Sequence, residues 1–252
     1  MKVSIITVCY NSEKTIEDTI NSIAAQTYKN IEYIIIDGGS KDTTNDIVNK
    51  YKDIVSIHIS EPDNGLYDAM NKGIKLATGD VVGILNSDDV LFDNNVIENI
   101  ASSFSSDVDG VYSDLIYVKQ NDLNSVSRLY SSKIFSNKLI KFGIMLPHPT
   151  FYVRKSCYDK NGFYKNDYRV AADFELIARF IKSGVKLKRL PILSVKMREG
   201  GISSNGIKWR IHQNFEIVRA CKENNIKTNI FFVMLKLPYK LLTLGTRFFI
   251  KA

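Results

Sequence analysis

The chain has 252 residues, with 34 Lys plus Arg against 27 Asp plus Glu and a formal charge of +7 at pH 7; its pI is near 9.1. A content of 44% hydrophobic and 24% charged residues is that of an ordinary globular protein and excludes disordered, collagen-like and many-spanning membrane chains. A chain of this length buries roughly 70–75% of its unfolded surface and needs no disulfides, and Cys9, Cys157 and Cys221 are scattered and form no CxxC, which points to a reducing compartment. Met1 leads directly into a strand-length run with no basic segment, long apolar stretch and cleavage site, so a cytoplasmic location is expected.

In the first half β-type and helix-type segments alternate, the pattern of an α/β fold with a mostly parallel sheet flanked by helices. Residues 3–8 form an apolar, β-branched strand, after which Asn11-Ser12 offers a cap to a helix over 14–25 with Ile16, Ile20 and Ile23 at helical spacing. Residues 31–36 are a second buried strand halted by Asp37-Gly38-Gly39-Ser40, and 42–51 a capped helix. Residues 55–60 are a third strand, running into the turn Glu61-Pro62-Asp63-Asn64-Gly65 and a helix over 66–77. The fourth strand, 81–85, ends at Asn86-Ser87-Asp88-Asp89. Further on, 110–118 and 128–130 read as strands around a hairpin tip at 120–125, and 143–153 as a constrained loop around Pro147-His148-Pro149-Thr150. A helix over 171–183, a strand over 185–193 and a helix over 208–224 with Trp209, Ile211, Phe215 and Val218 near one side complete the body. No internal repeat or low-complexity linker divides it, so one continuous domain is expected.

The acids carry the chemistry. Asp37, Asp63 and Asp88-Asp89 each follow a predicted strand, and a parallel sheet gathers such residues at the edge where open α/β sheets bind ligands. Taken singly, each serves equally well as a turn former or helix cap. Taken together, carboxylates so close repel one another unless a cation relieves them, and hard oxygen ligands favour Mg²⁺ or Mn²⁺. These metals keep water and bridge to substrate phosphates, so a nucleoside diphosphate completes the site. No GxGxxG follows the first strand, and neither GxxxxGK[ST] nor GxSxG occurs. A sugar-1-phosphate nucleotidyltransferase wants a glycine-rich loop with a basic residue after that strand, where Cys9-Tyr10-Asn11-Ser12 stands.

Three segments closely resemble the family 2 glycosyltransferases, which are inverting enzymes of the GT-A fold: Val3-Ser4-Ile5-Ile6-Thr7-Val8-Cys9-Tyr10-Asn11, Ile34-Ile35-Ile36-Asp37-Gly38-Gly39-Ser40 and Asn86-Ser87-Asp88-Asp89. The stretch Glu61-Pro62-Asp63-Asn64-Gly65-Leu66-Tyr67-Asp68-Ala69-Met70-Asn71 is similar to the subgroup that builds bacterial surface polysaccharides. The resemblance covers residues 1–204 and implies a nucleotide-sugar donor, with UDP first, and a lipid-linked saccharide acceptor. By position it places Thr7 and Tyr10 in the nucleotide pocket, Asp37 on the base, Asp63 near base or ribose and Asn71 behind it. The family's D-x-D motif becomes Asn86-Ser87-Asp88, so Asp88 is implied as main metal contact and Asp89 as second ligand or support for Mn²⁺ or Mg²⁺. Met70 stands where relatives often carry Arg, removing one phosphate contact. An x-E-D motif becomes Ala171-Ala172-Asp173, making Asp173 the implied catalytic base, with Glu175 as alternative. Gly201 and Ser203, flanked by Arg198, resemble the loop that closes over the donor. His148, Arg198 and His212 are weaker candidates for the acceptor or diphosphate.

Two other classes stay open: a nucleotidyltransferase and a non-catalytic nucleotide-sugar binder. Nucleic acid is not expected, because no basic stripe with interleaved aromatics exists outside the tail. Lys227, Lys236, Lys240, Arg247 and Lys251 give the last 26 residues five basic side chains and no acid, leaving +2 for the first 226. Residues 205–252 therefore read as a helical, basic-amphipathic extension for an anionic membrane surface, placing the protein on the inner face of the plasma membrane. The alternative is a helix pair packed on the body or a homodimer contact.

Overall fold

A computed structural model describes residues 1–200 and 207–236. Its strands are β1 (Val3–Cys9), β2 (Ile31–Asp37), β3 (Ile57–Ser60), β4 (Val81–Ile84), β5 (Val90–Leu91), β6 (Gly110–Lys119), β7 (Asp122–Tyr130), β8 (Tyr152–Arg154) and β9 (Leu187–Arg198). All belong to one sheet in the order β3-β2-β1-β4-β8-β6-β9-β5, with β7 also paired to β6. Pairing is parallel through β3-β2-β1-β4. It is mixed beyond, where β8 runs antiparallel to β4 and β6 while β6 and β9 run parallel.

The continuous apolar runs of β1 and β2 follow from burial on both faces. Side chains alternate across the sheet, so Ile5 and Ile35 enter one core while Ile6 and Ile36 enter the other. The first core is closed by α1 (Ile16–Ala24), α2 (Thr44–Val48) and α4 (Val96–Ser102). The second is closed by α3 (Leu66–Leu76), α5 (Lys155–Asn161), α6 (Ala172–Lys182), α7 (Ile207–Glu223) and α8 (Ile230–Met234). At Gly73 a Cβ would come within 2.4 Å of Ile6 Cγ2, which is how closely α3 lies on β1.

Several local readings change. Asn11-Ser12 does not cap α1: Asn11 adopts a left-handed φ of 50°, and its side-chain oxygen instead accepts from Lys41 N at 2.9 Å, tying the loop after β1 to the loop after β2. β5, α4 and α5 have no counterpart in the sequence reading. α7 turns a different face inward from the one its aromatics suggest. Ile211 and Phe215 are 51% and 59% exposed, whereas Glu216, Ile217, Ala220 and Cys221 are buried. The chain stays in the core as far as Val233, which is fully buried. Among the described residues no helix is long and apolar enough to cross a membrane. Gly201, Ser203 and residues 237–252 of the expected membrane segment lie outside the described residues.

Candidate active site

The sheet register aligns Cys9 with Asp37 and Asp37 with Ser60, so β1, β2 and β3 end together. Asp37 is fully buried there. One of its oxygens accepts from Ser40 Oγ at 2.5 Å. The other accepts from Gly39 N, Ser40 N, Asn45 Nδ2 and Ser60 Oγ at 3.2, 3.0, 2.9 and 2.6 Å. Burial pushes this carboxyl up, but the hydrogen bonds from Ser40, Ser60 and Asn45 outweigh it and hold the group below its ordinary value. Asp37 is thus a fixed anion.

Next to it, a Cβ on Gly38 would lie 2.5 Å from Asp63 Oδ2 and 3.5 Å from the Tyr10 ring. With no side chain at Gly38, the Asp63 carboxylate and the Tyr10 ring come close to the end of β2. Asp63 accepts from Gly65 N at 2.7 Å, which shapes the turn into α3, and Tyr10 is 62% exposed. Thr7 lies beneath this surface, fully buried, with its hydroxyl accepting from Tyr33 at 3.0 Å. Asn71 clasps the backbone of Tyr164, donating to its carbonyl at 2.8 Å and accepting from its amide at 2.9 Å. It joins α3 to the loop before α6.

The Asn86–Asp89 turn is held from three sides. Ser87 Oγ is 2.9 Å from Ser12 Oγ, and the Thr19 hydroxyl donates to the carbonyls of Ser87 and Asp89 at 3.0 and 2.7 Å. Arg198, 4% exposed, donates to the Asp88 carbonyl at 2.8 Å, to the Gln120 carbonyl at 3.1 Å and to the Asp18 carboxylate. Its guanidinium, implied by resemblance to meet the acceptor or diphosphate, here straps the end of β9 to the turn and to α1.

Burial raises both Asp88 and Asp89, Asp89 further through the charge of Asp88. Asp89 is fully buried, and its Oδ1 and the Asn86 Oδ1 have no hydrogen-bond partner among the described residues. Two carboxylates short of compensation and an orphaned amide oxygen fit a hard divalent cation, which accepts oxygen ligands and retains water and phosphate in its remaining positions. Among the described residues no group of three or more His, Cys, Asp or Glu could hold a metal, so a cation bound here would take only part of its coordination from these side chains. His212 is not among them: its Nε2 is 3.1 Å from Glu216 Oε1.

A third cluster forms where α3 meets α6. Tyr67, in the first turn of α3, donates to the Val170 carbonyl at 2.7 Å and stacks on Tyr164 with ring centroids 5.7 Å apart. This brings the start of α6 to the same edge of the sheet. Asp173 stands in that first turn, with Oδ1 accepting from Phe174 N at 2.7 Å. Burial pushes its carboxyl up to about 6; hydrogen bonds from Phe174 and its own backbone oppose the rise, and the Glu216 charge adds to it. Glu175 is fully buried and paired with Arg179 at 2.9 Å and Lys165 at 3.1 Å, which leaves Asp173 as the accessible carboxylate. His148 Nε2 is 2.6 Å from the Tyr164 hydroxyl, and burial lowers the imidazole to about 4, so it is neutral at pH 7.

Asp18, Thr19 and Glu216 escape the sequence reading because none belongs to a local motif: Thr19 and Glu216 act on the backbone of distant segments, and Asp18 pairs with the distant Arg198 side chain. The acid Glu216 amid apolar α7 positions was the one available signal.

A family model described as glycosyl transferase family 2 matches residues 4–168. The UDP-Glc:α-D-GlcNAc-diphosphoundecaprenol β-1,3-glucosyltransferase WfaP of Escherichia coli is 31% identical over 218 residues, 84% of each chain. Residues 1–349 of TarS from S. aureus, solved with UDP-GlcNAc, superpose with a TM-score of 0.72 at 20% identity, covering 94% of this chain and 72% of that one. In a longer TarS structure the match spans 37% of the chain. The mannosyltransferase PcManGT of Pyrobaculum calidifontis, solved with GDP-Man and Mn²⁺, gives 0.68 at 19% identity over 98% of this chain and 73% of that one. These likenesses establish the GT-A fold, and the family match makes the chain a glycosyltransferase rather than a nucleotidyltransferase or a passive binder. The chain belongs to glycosyl transferase family 2.

Proposed function

We propose that this glycosyltransferase moves a hexose or N-acetylhexosamine from a UDP donor to a hydroxyl of a lipid-linked saccharide, with inversion, in bacterial surface-glycan assembly. The observation that carries the reading is the contrast between two carboxylates at one sheet edge. Asp37 is held ionised by its hydrogen bonds, and Asp173 is poised near 6. Environments that push carboxyl groups apart in this way mark a binding anion and a general base. The printed specificity of WfaP, a UDP-glucose donor and a diphosphoundecaprenol-linked acceptor, supports the donor and acceptor classes.

In this reading Thr7, Tyr10, Asp37, Asp63 and Asn71 form the nucleotide side, and Gly201 and Ser203 belong to the donor loop. Asp88 and Asp89 would hold Mn²⁺ or Mg²⁺, which when bound stabilises charge on the departing diphosphate. Asp173 takes the acceptor hydroxyl proton as that oxygen bonds to the anomeric carbon. The carbon–oxygen bond to phosphate breaks on the opposite face, and UDP leaves. UDP release from UDP-glucose with MnCl₂, lost in Asp88→Ala and in Asp173→Asn, is the expected result; equal turnover in both variants would overturn the assignment.

Membrane association is proposed on the same footing. α8 exposes Phe231 (76%), Met234 (47%) and Leu235 (55%), and the chain continues from there into the basic, acid-free C-terminal residues. Co-sedimentation with phosphatidylglycerol vesicles, lost on deleting 237–252, is expected. Unchanged sedimentation, or a doubled solution mass with no vesicle binding, would return this face to a protein contact.

A further inference from the structure

Three successive backbone amides converge on one carboxylate of α7. Arg169 N donates to Glu216 Oε1 at 2.7 Å, and Val170 N and Ala171 N donate to Oε2 at 2.8 and 2.9 Å. Glu216 is 7% exposed, so this is a buried anion satisfied almost entirely by the loop that it grips. Ala171 is the N-cap residue of α6, and its carbonyl accepts from Glu175 N at 3.0 Å. Glu216 therefore fixes the residue from which α6 starts, two positions before Asp173. Removing its oxygens leaves three backbone donors unpaired, which is costly if they stay buried, so the loop must reorganise. Neighbouring contacts follow the same line: Arg219 reaches Asp167, and Glu223 accepts from Lys165 and Tyr168, both at 2.8 Å.

Resting on the transferase reading for the role of Asp173, we infer that Glu216 is the positioning residue that presents Asp173 to the acceptor hydroxyl. It does so through the 169–171 backbone rather than by touching substrate. Its negative charge also adds to burial in raising Asp173. The titratable and charged groups around that carboxylate are Glu216 with its partner His212 from α7, Tyr67 from α3 and Tyr164 from the preceding loop. Along α6 itself stands Glu175, neutralised by Arg179 and Lys165. Among these anions Glu216 is the one whose effect on Asp173 is resolved.

The test uses the full chain labelled with ¹³C-aspartate, the Asp173 carboxyl signal being assigned by its loss in Asp173→Asn. In Glu216→Gln the Asp173 midpoint should fall by roughly half a unit to one unit, the scale of one charge a few ångströms away in a partly solvated site. The acidic limb of UDP-glucose turnover should move with it. Amide exchange at 169–171 should accelerate at least tenfold, while UDP affinity in MnCl₂ stays within twofold. An unchanged Asp173 midpoint with unchanged exchange would overturn the inference. Should Glu216→Ala fail to fold, the Gln variant, which keeps one acceptor oxygen, decides. A wild-type chain that turns over no nucleotide sugar at any pH sinks the transferase reading, and the carboxyl titration still decides the Glu216 link.

Discussion

In the proposed mechanism, Asp173 ties activity and stability to pH in opposite directions. Its folded pKa of about 6 lies above the ordinary aspartate range, so ionising it inside the fold is unfavourable. The penalty is absent below about pH 4, grows between 4 and 6, and is complete above that, reaching on the order of 2–3 kcal/mol. Sugar transfer, which in the proposed mechanism draws on the carboxylate, should rise through pH 6. Asp173→Asn should lose roughly 10²–10⁴ in rate, keep UDP binding, and melt several degrees higher than wild type at pH 7.5 but not at pH 4. A lower melting point at pH 7.5 would show that the carboxylate is stabilised by its surroundings. Gly38 gives a second residue-scale prediction. Gly38→Ala drives a methyl group into the Asp63 carboxylate and should weaken UDP binding roughly tenfold, about 1.4 kcal/mol, in calorimetric titration with little change in melting temperature.

Among the elements, β9 acts at a distance from its own pairing partners. Arg198 closes it onto the 86–89 turn and α1, so Arg198→Met should loosen the turn that would hold the cation. The expected signature is a Mn²⁺-dependent loss of UDP affinity of tenfold or more, with metal-free affinity changed little. Equal loss with and without Mn²⁺ would place the effect elsewhere. The same strap shows where sequence reading stops. β1, β2 and α3 are legible because local composition decides them: both faces are buried, and the turns at Asp37 and Asp63 are spelled out in Gly and Asp. The acids at the strand ends are legible for the same reason. α7 is misread because its inward face is set by what it grips. Glu216 faces inward to meet three amides, and Phe215 is left outside. Arg198 and Asp18 meet across 180 residues of sequence, a separation no local pattern encodes.

At the scale of the molecule, the family match ends at residue 168 but the core does not. Ile217, Ala220, Cys221 and Val233 share one apolar cluster with α3, α5 and α6, and the Thr228 hydroxyl donates to the Lys141 carbonyl. A chain cut after residue 204 should lose its cooperative thermal transition, since it uncovers that cluster and strips the 169–171 amides of their acceptor. One cut after 236 should melt as the full chain does. Cooperative melting of the shorter piece would make α7 and α8 an appendage.

The grip of Glu216 on the loop before α6 also sets an order of events during synthesis. Glu216 emerges 43 residues after Asp173, a delay of a few seconds at about 5–20 residues per second. All nine strands and α1 to α6 are thus synthesised while the amides of Arg169, Val170 and Ala171 still lack the carboxylate that accepts from them. The loop before α6 therefore takes its final form only once α7 has folded back, in the same step that completes the apolar cluster shared by α3, α5, α6, α7 and α8.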